Sequence, residues 1–271
     1  MFFPSQKLIF IGGPCVIEGQ EMLEQVCSSL KDICSRLDIF FVFKSSFDKA
    51  NRTGINSFRG PGLAEGVKML LAIKKKYNVP VITDVHFPEQ IAQIPAEIDV
   101  LQIPAFLCRQ TDFYIEAARL GRVLNVKKGQ FLSPWDMKNA IDKFQQAGGK
   151  EITLTERGSS FGYNNLIVDF RSIQVMKSFG VKYIYDATHS LQLPGGEGNA
   201  SGGLREFIPG LVFAQIAAGA DGLFMEVHPD IEKARCDRAT QYPFDKIEGL
   251  LTDAAGLWDY TLKNLFKKKY L

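Results

Sequence analysis

The chain has 271 residues, 46% of them hydrophobic, and its 32 Lys and Arg against 30 Asp and Glu leave a net charge of +2. Near-balance excludes a general nucleic-acid binder, which carries a basic face. The length and apolar content allow a sizeable core, and no apolar run reaches the ~18–20 residues that cross a bilayer.

The first segment, MFFPSQKLIFIGGPC, lacks the basic-then-apolar design of a signal peptide and reads as a tail followed by a strand over about 7–13. A helix is expected over about 19–36, with Met22, Leu23, Val26, Leu30 and Ile33 near helical spacing. The second strand, IFFVFK, ends at Lys44, and a long polar loop, SSFDKANRTGINSFRGPG, follows it. Loops longer than ~12–15 residues in compact domains are usually functional. Then come a helix over 63–77 and the strands VPVITD, DVLQIP, RVLNVKK, EITLTER, KYIYDATH and DGLFMEVH. Further helices are expected near 88–94, 111–120, 134–147, 171–179, 204–218 and 246–266. The terminal Lys267-Lys268-Lys269 run reads as a solvated helix end.

The strands are rich in Val, Ile, Phe and Leu without clean alternation, as in parallel strands buried on both faces. Eight β/α units with no linker and no break in composition predict one domain over 1–271, a single (β/α)8 TIM barrel. Its active site is expected at the C-terminal face of the strands. A doubly wound open sheet is the alternative, but no Gly-x-Gly-x-x-Gly fingerprint follows strand one. The five cysteines form no CxxC pair and point to a reducing, cytoplasmic setting.

Almost every strand ends in a chemically active side chain: Cys15, Lys44, Asp84, Gln102, Lys127, Arg157, His189 and Glu226. Barrel closure makes strands one and eight neighbours, so Cys15, His189 and Glu226 converge, with His228 and Asp237 as further candidates just beyond. A thiolate, an imidazole and carboxylates suit Zn²⁺ or Fe²⁺ better than Mg²⁺. A small buried core thiol is the competing reading of Cys15, and the two weigh about equally. Lys44, Lys49, Arg52, Lys127 and Arg157, with Lys128 and Arg109 nearby, crowd positive charge at the mouth. Phosphate and carboxylate substrates would balance it; pairing with Asp48, Asp84 and Glu156 would account for some of the set. His86, after Asp84 at the end of strand three, reads as a hydrogen-bonded structural histidine, with a catalytic role as the alternative. Pro104-Ala105-Phe106-Leu107 either offers backbone groups to a substrate or packs. The glycine-rich stretch over 194–203 is either a lid or merely a flexible loop.

At KSSFDKANR, IPAFLCRQTD, NVKKGQF, ERGSSFGYNNL and DATHSLQLPGG the chain closely resembles the 3-deoxy-D-manno-octulosonate 8-phosphate synthase family, in register from about 9 to 248. The resemblance implies a barrel enzyme that assembles as a homotetramer. Its members condense phosphoenolpyruvate with D-arabinose 5-phosphate, release phosphate and feed lipopolysaccharide biosynthesis. It implies the metal-dependent branch, because Cys15 stands where the other branch has Asn. Cys15, His189, Glu226 and Asp237 are then the ligands of one divalent transition ion (Fe²⁺, Zn²⁺ or Mn²⁺), with no organic cofactor. Lys44, Lys49, Gln102, Lys127 and Arg157 match positions that hold phosphoenolpyruvate. Asn51, Arg52 and Thr53 match the pentose-phosphate loop, Pro104 and Ala105 lie in a matching segment, and Arg109 matches an arginine that reaches a neighbouring subunit's site. Lys49, Lys127, His189 and Asp84 are the expected catalytic groups. Thr53 replaces the usual Ser, and Phe87 stands where a polar residue is common. A related synthase acting on erythrose 4-phosphate and a non-catalytic phosphosugar-binding barrel are the rivals. The former usually carries Lys-Pro-Arg-Thr where this chain reads Ala50-Asn51-Arg52-Thr53.

Overall fold

The computed structural model describes residues 1–52, 54–195 and 202–265. Eight parallel strands form its centre: β1 (Ile9–Gly13), β2 (Phe40–Lys44), β3 (Val81–Asp84), β4 (Val100–Ile103), β5 (Val123–Lys127), β6 (Ile152–Glu156), β7 (Lys182–Asp186) and β8 (Gly222–His228). Each pairs with its neighbour in chain order, and β8 pairs back onto β1, closing a (β/α)8 barrel. The expected architecture is the observed one.

Eight helices surround the strands: α1 (Gln20–Arg36), α2 (Leu63–Tyr77), α3 (Pro88–Gln93), α4 (Thr111–Arg119), α5 (Met137–Gln146), α6 (Arg171–Lys177), α7 (Ile208–Ala217) and α8 (Ile247–Tyr260). Their buried residues recur at helical spacing, as in Leu23, Val26, Leu30 and Ile33 of α1 and Met137, Ala140, Ile141 and Phe144 of α5. No helix among the described residues is long and apolar enough to cross a membrane.

Several expected boundaries move inward. α5 starts at Met137, not residue 134, because the chain before it makes single turns, Asp136 N–H to Ser133 O and Met137 N–H to Pro134 O. The stretch expected as one helix over 204–218 is a 3-10 turn, Arg205–Phe207, joined to α7, with Pro209 in the first helical turn where no donor is needed. α8 gives way at Thr261–Leu265 to a π-helical turn. Phe266 and the Lys267-Lys268-Lys269 run lie outside the described residues. Short strand pairs over Ser159–Ser160 with Leu166–Ile167, and Gln192–Leu193 with Gly202–Gly203, were not anticipated. Two-residue strands carry too little periodicity to be read.

The barrel interior is layered. Ile9, Ile11, Val42, Ile82, Val100, Ile184 and Phe224 form an apolar floor. Phe3 packs into the same cluster, with Phe2 against it. The Phe2 and Phe3 amides donate to the Glu151 carboxylate at 2.7–3.0 Å, which pins the tail. Above the floor, the Asn125 amide donates to Thr153 Oγ1 at 2.8 Å and Thr155 Oγ1 at 2.7 Å. Strand side chains alternate faces. Two residues beyond each floor residue the inward position is therefore polar on most strands, and those positions are Lys44, Asp84, Gln102, Asp186 and Glu226. Gly13 holds the same place on β1, where a Cβ would overlap the Lys44 carbonyl. Glycine lets β1 and β2 approach closely beside the site.

Candidate active site

A cavity of about 890 Å³ opens at the C-terminal ends of the strands. That is within the usual range for a small-molecule site. Lys44, Lys49, Asn51, Arg52, Asp84, Gln102, Pro104, Ala105, Lys127, Arg157, His189, Glu226 and Asp237 all line it.

One wall gathers metal-ligand chemistry. His189, Glu226 and Asp237 present donor atoms within 4.8 Å of one another, as do Cys15, Cys236 and Asp237, so the Asp237 carboxylate joins the two sets. His189 Nε2 lies 3.4 Å from Glu226 Oε2 and 3.7 Å from Asp237 Oδ2. Cys15 Sγ lies 3.2 Å from Asp237 Oδ2. β1 and β8 bring this about, with Gly13 opposite Glu226 in the ladder. Glu226 is fully buried, yet its Oε2 has no hydrogen-bond partner among the described residues. A buried carboxylate oxygen facing an imidazole, a second carboxylate and thiols fits a borderline-soft divalent ion. Burial, then the neighbouring Cys236 and Glu226, push the Cys15 thiol well above its usual range. Burial pushes the Glu226 carboxyl up, but Lys49, His189 and Lys44 outweigh it and bring it down to about 2. Burial likewise opposes ionisation of Asp237, and the neighbouring His189 imidazole and the charge of Lys49 hold it well below the carboxylate range.

His228 belongs elsewhere. Its Nδ1 accepts the Asp230 amide at 3.0 Å, and its Nε2 faces Glu18 at 3.5 Å in the loop after β1. Of the two candidates that spacing left open, Asp237 is the one in the cluster.

Beside that cluster lies a cationic region organised by Asp186, at the end of β7. This fully buried carboxylate receives Lys127 Nζ at 2.6 Å and the His189 ring at Nδ1, 2.8 Å away. The amides of Thr188 and His189 and the Thr188 hydroxyl also donate to it. Burial raises the Asp186 carboxyl, but His189 and Lys127 outweigh that and hold it far below the carboxylate range. An ionised Asp186 requires a proton on His189 Nδ1 and leaves Nε2 facing Glu226 and Asp237. Carboxylate–imidazole pairs orient metal-binding histidines in this way. Lys127 Nζ also sits 3.6 Å from the Phe224 ring centre, on the floor. Burial lowers its pKa, and the nearby Lys44 adds to that against the pull of Asp186.

Lys44 Nζ donates to Ser46 Oγ at 2.7 Å and lies 3.4 Å from Glu226 and 3.7 Å from Asp84. Lys49 Nζ is 3.5 Å from Glu226. Arg157 donates to Gln192 Oε1 at 2.7 Å, while its buried Nη1 and the buried Gln102 Nε2 have no partner among the described residues. Unpaired buried donors beside a cavity are suited to an anionic or carbonyl ligand.

The expected internal pairing holds only in part. Lys44 meets Asp84, but Asp48 pairs with Arg59 on the surface. Lys128 turns away from the mouth, fully buried, 3.3 Å from Glu156 and near the Gly129, Leu132 and Gly158 carbonyls. It is a structural cation. His86 Nε2 donates to the Asp48 carbonyl, 2.9 Å away, and His86 also lines the cavity. Ala105 begins a 3-10 turn whose Phe106 is exposed at the rim. Arg109 is exposed and outside the cavity lining, with its carbonyl accepting from Lys143 Nζ at 2.8 Å. Thr53 and residues 196–201 of the glycine-rich stretch lie outside the described residues; Pro194 and Gly195 line the cavity.

Two residues of the site escaped the sequence reading. Asp186 stands three positions before His189, and counting faces along KYIYD from inward Ile184 would have found it. Cys236 precedes Asp237 in an irregular loop, where no periodicity signals which way a side chain points.

Residues 4–263 match the model of the DAHP synthetase I family. A protein of Desulfotalea psychrophila named 2-dehydro-3-deoxyphosphooctonate aldolase is 55% identical over 248 residues, 92% of this chain and 89% of that one. Proteins of the same name from Nitratidesulfovibrio vulgaris and Xanthomonas campestris pv. campestris are each 52% identical. They align over 94% and 97% of this chain and 93% and 96% of their own lengths. With its barrel, its convergent mouth and more than half of the aligned residues shared with these relatives, the chain belongs to the DAHP synthetase I family.

Proposed function

We propose that this chain condenses phosphoenolpyruvate with D-arabinose 5-phosphate and water, giving 3-deoxy-D-manno-octulosonate 8-phosphate and inorganic phosphate. The observation that carries the reading is the mouth itself: buried cations packed directly against donors for a divalent ion, with Lys44 and Lys49 within 3.5 Å of Glu226, around one cavity. The names of the relatives fit the eight-carbon product.

Lys127, Arg157 and Lys49 neutralise the phosphate and carboxylate of phosphoenolpyruvate, with Gln102 and Lys44 beside them. Holding both substrates in one orientation contributes strongly to the rate through proximity. The enol carbon attacks the sugar aldehyde, water adds at the adjacent carbon, and phosphate leaves by carbon–oxygen cleavage. Asp84 and His189 stand within the cavity as proton-handling groups; Asp84 is kept ionised by Lys44, His86 and Lys49 against the effect of its burial. Cys15, His189, Glu226 and Asp237 would hold the divalent ion. When bound, it supplies Lewis acidity and orientation for the aldehyde or water.

Phosphate release with arabinose 5-phosphate should far exceed release with erythrose 4-phosphate, because Asn51-Arg52 replaces the Pro-Arg pair of the four-carbon enzyme. An enzyme-coupled phosphate assay with each sugar checks this. Equal or reversed rates would favour the erythrose 4-phosphate reading, and no release with either would favour a binding barrel.

Exposed Arg109 acts at the phosphosugar site of a neighbouring subunit in a homotetramer. Arg109→Ala should raise the KM for arabinose 5-phosphate by about 10-fold or more, the loss expected of a charge-assisted contact worth ~1.5–3 kcal/mol. The KM for phosphoenolpyruvate should barely move. Equal losses for both substrates, or a monomer in sedimentation analysis, count against the role. The reaction places the chain in lipopolysaccharide biosynthesis, in the cytoplasm where phosphoenolpyruvate is made.

A further inference from the structure

We propose that Cys236 supplies a second thiolate to the metal site, biasing the chain toward Zn²⁺ and similar borderline-soft ions over Mn²⁺ and Mg²⁺. The inference rests on the metal-dependent reading above and extends its ligand set beyond Cys15, His189, Glu226 and Asp237.

Cys236 and Asp237 are adjacent, and adjacent side chains of an extended chain point to opposite faces. Here both point into the same cluster, because Asp237 adopts a left-handed backbone with φ 47°. Asp is one of the few residues besides Gly that tolerates this conformation. The turn is held: the Thr240 and Gln241 amides both donate to the Asp237 carbonyl at 3.0 Å. The Gln241 side chain donates to the Cys236 carbonyl at 2.7 Å. Cys236 Sγ consequently lies 3.3 Å from Asp237 Oδ2 and 2.6 Å from Cys15 Sγ.

A thiol that merely filled space would face apolar groups. Val16 and Phe58 do pack nearby, yet the groups nearest this sulfur are a thiol, a carboxylate and a guanidinium, Arg52 Nη1 at 3.1 Å. Two thiolates, an imidazole and carboxylates favour Zn²⁺, whereas Mn²⁺ and Mg²⁺ prefer oxygen ligands. Two thiolates and two carboxylates exceed the charge of one divalent ion, and Lys44, Lys49 and Arg52 face the excess.

Zinc K-edge absorption spectroscopy of the unmodified, reduced, zinc-loaded protein counts the sulfur ligands directly. Two sulfurs are expected; one overturns the proposal. Cobalt substitution gives a second readout. At equal bound Co²⁺, Cys236→Ser should lose about half of the sulfur-to-cobalt charge-transfer absorption, one of two thiolates. Its preference for Zn²⁺ over Mn²⁺, measured by competition with a chromophoric chelator, should fall about 10-fold or more, in the range in which even outer partners of a site act. An unchanged band with an unchanged preference overturns the second thiolate while leaving the four-ligand site intact. A protein that takes up neither ion overturns the metal-dependent reading and this inference with it.

Discussion

Chelation is expected to abolish phosphate release from phosphoenolpyruvate, and saturating Fe²⁺, Zn²⁺ or Mn²⁺ to restore it. The reason lies in the wall between β1 and β8. Glu226 Oε2 is buried without a hydrogen-bond partner among the described residues, 3.4 Å from His189 Nε2, and Asp237 and Cys15 close in from the loops. Three carboxylate and imidazole donors and a thiol are costly to bury unless something binds them. Cys15→Ala removes a soft donor and should weaken metal binding by more than the ~10–100-fold typical of an outer partner. Cys15→Asn is sharper, because it installs the residue of the metal-independent branch. Residual activity of that variant without metal means that the ion chiefly orients substrate. A dead metal-free variant means that Lewis acidity is essential. Full activity of the unmodified protein after chelation, with no metal by elemental analysis, would sink the metal-dependent reading.

Asp186→Asn should cost nearly as much without touching substrate or ion. Asp186 is the counter-charge of buried Lys127 and the acceptor that orients His189, at 2.6 and 2.8 Å. Breaking a buried pair by removing one partner typically costs about 3–5 kcal/mol, because the other charge is left uncompensated. Asn keeps the shape and so tests the charge alone. We expect kcat/KM to fall about 100-fold or more, with metal affinity reduced about 10–100-fold through the loosened imidazole. Thermal unfolding and far-UV circular dichroism separate this from simple misfolding. Retention of kcat/KM within about twofold, or a loss of activity with unaltered metal affinity, contradicts the positioning of His189 by Asp186.

Much of this site was legible because a barrel converts chain order into geometry. Apolar runs ending in Lys44, Asp84, Gln102, Lys127 and Glu226 mark strand ends, and strand ends share one mouth. The alternation of faces adds a finer rule, visible once Ile184 and Phe224 are known to form the floor: the inward residue two positions on belongs to the site. By that rule Asp186 and Glu226 are in; the same parity, counted from inward Asn125, Thr153 and Thr155, puts Lys127 in and Glu156 and Lys128 out. Before the floor is known, the strands read as uniformly apolar and the parity has no anchor. Lys128 therefore reads as one of the site cations, though it is an equally buried charge facing the other way.

Residue types, order and spacing were enough to establish a parallel β/α barrel, its functional face and most of the chemistry gathered there, because periodic segments carry their own direction. Loops carry no such period. That His228 turns to Glu18 while Asp237 enters the cluster is a consequence of backbone turns, as is the arrival of Cys236 beside Cys15 from 221 residues away along the chain. The turns themselves are held by local hydrogen bonds, but the groups they reach, Glu18 and Cys15, come from the far end of the chain and arrive only when β8 closes onto β1, so tertiary structure alone decided the outcome.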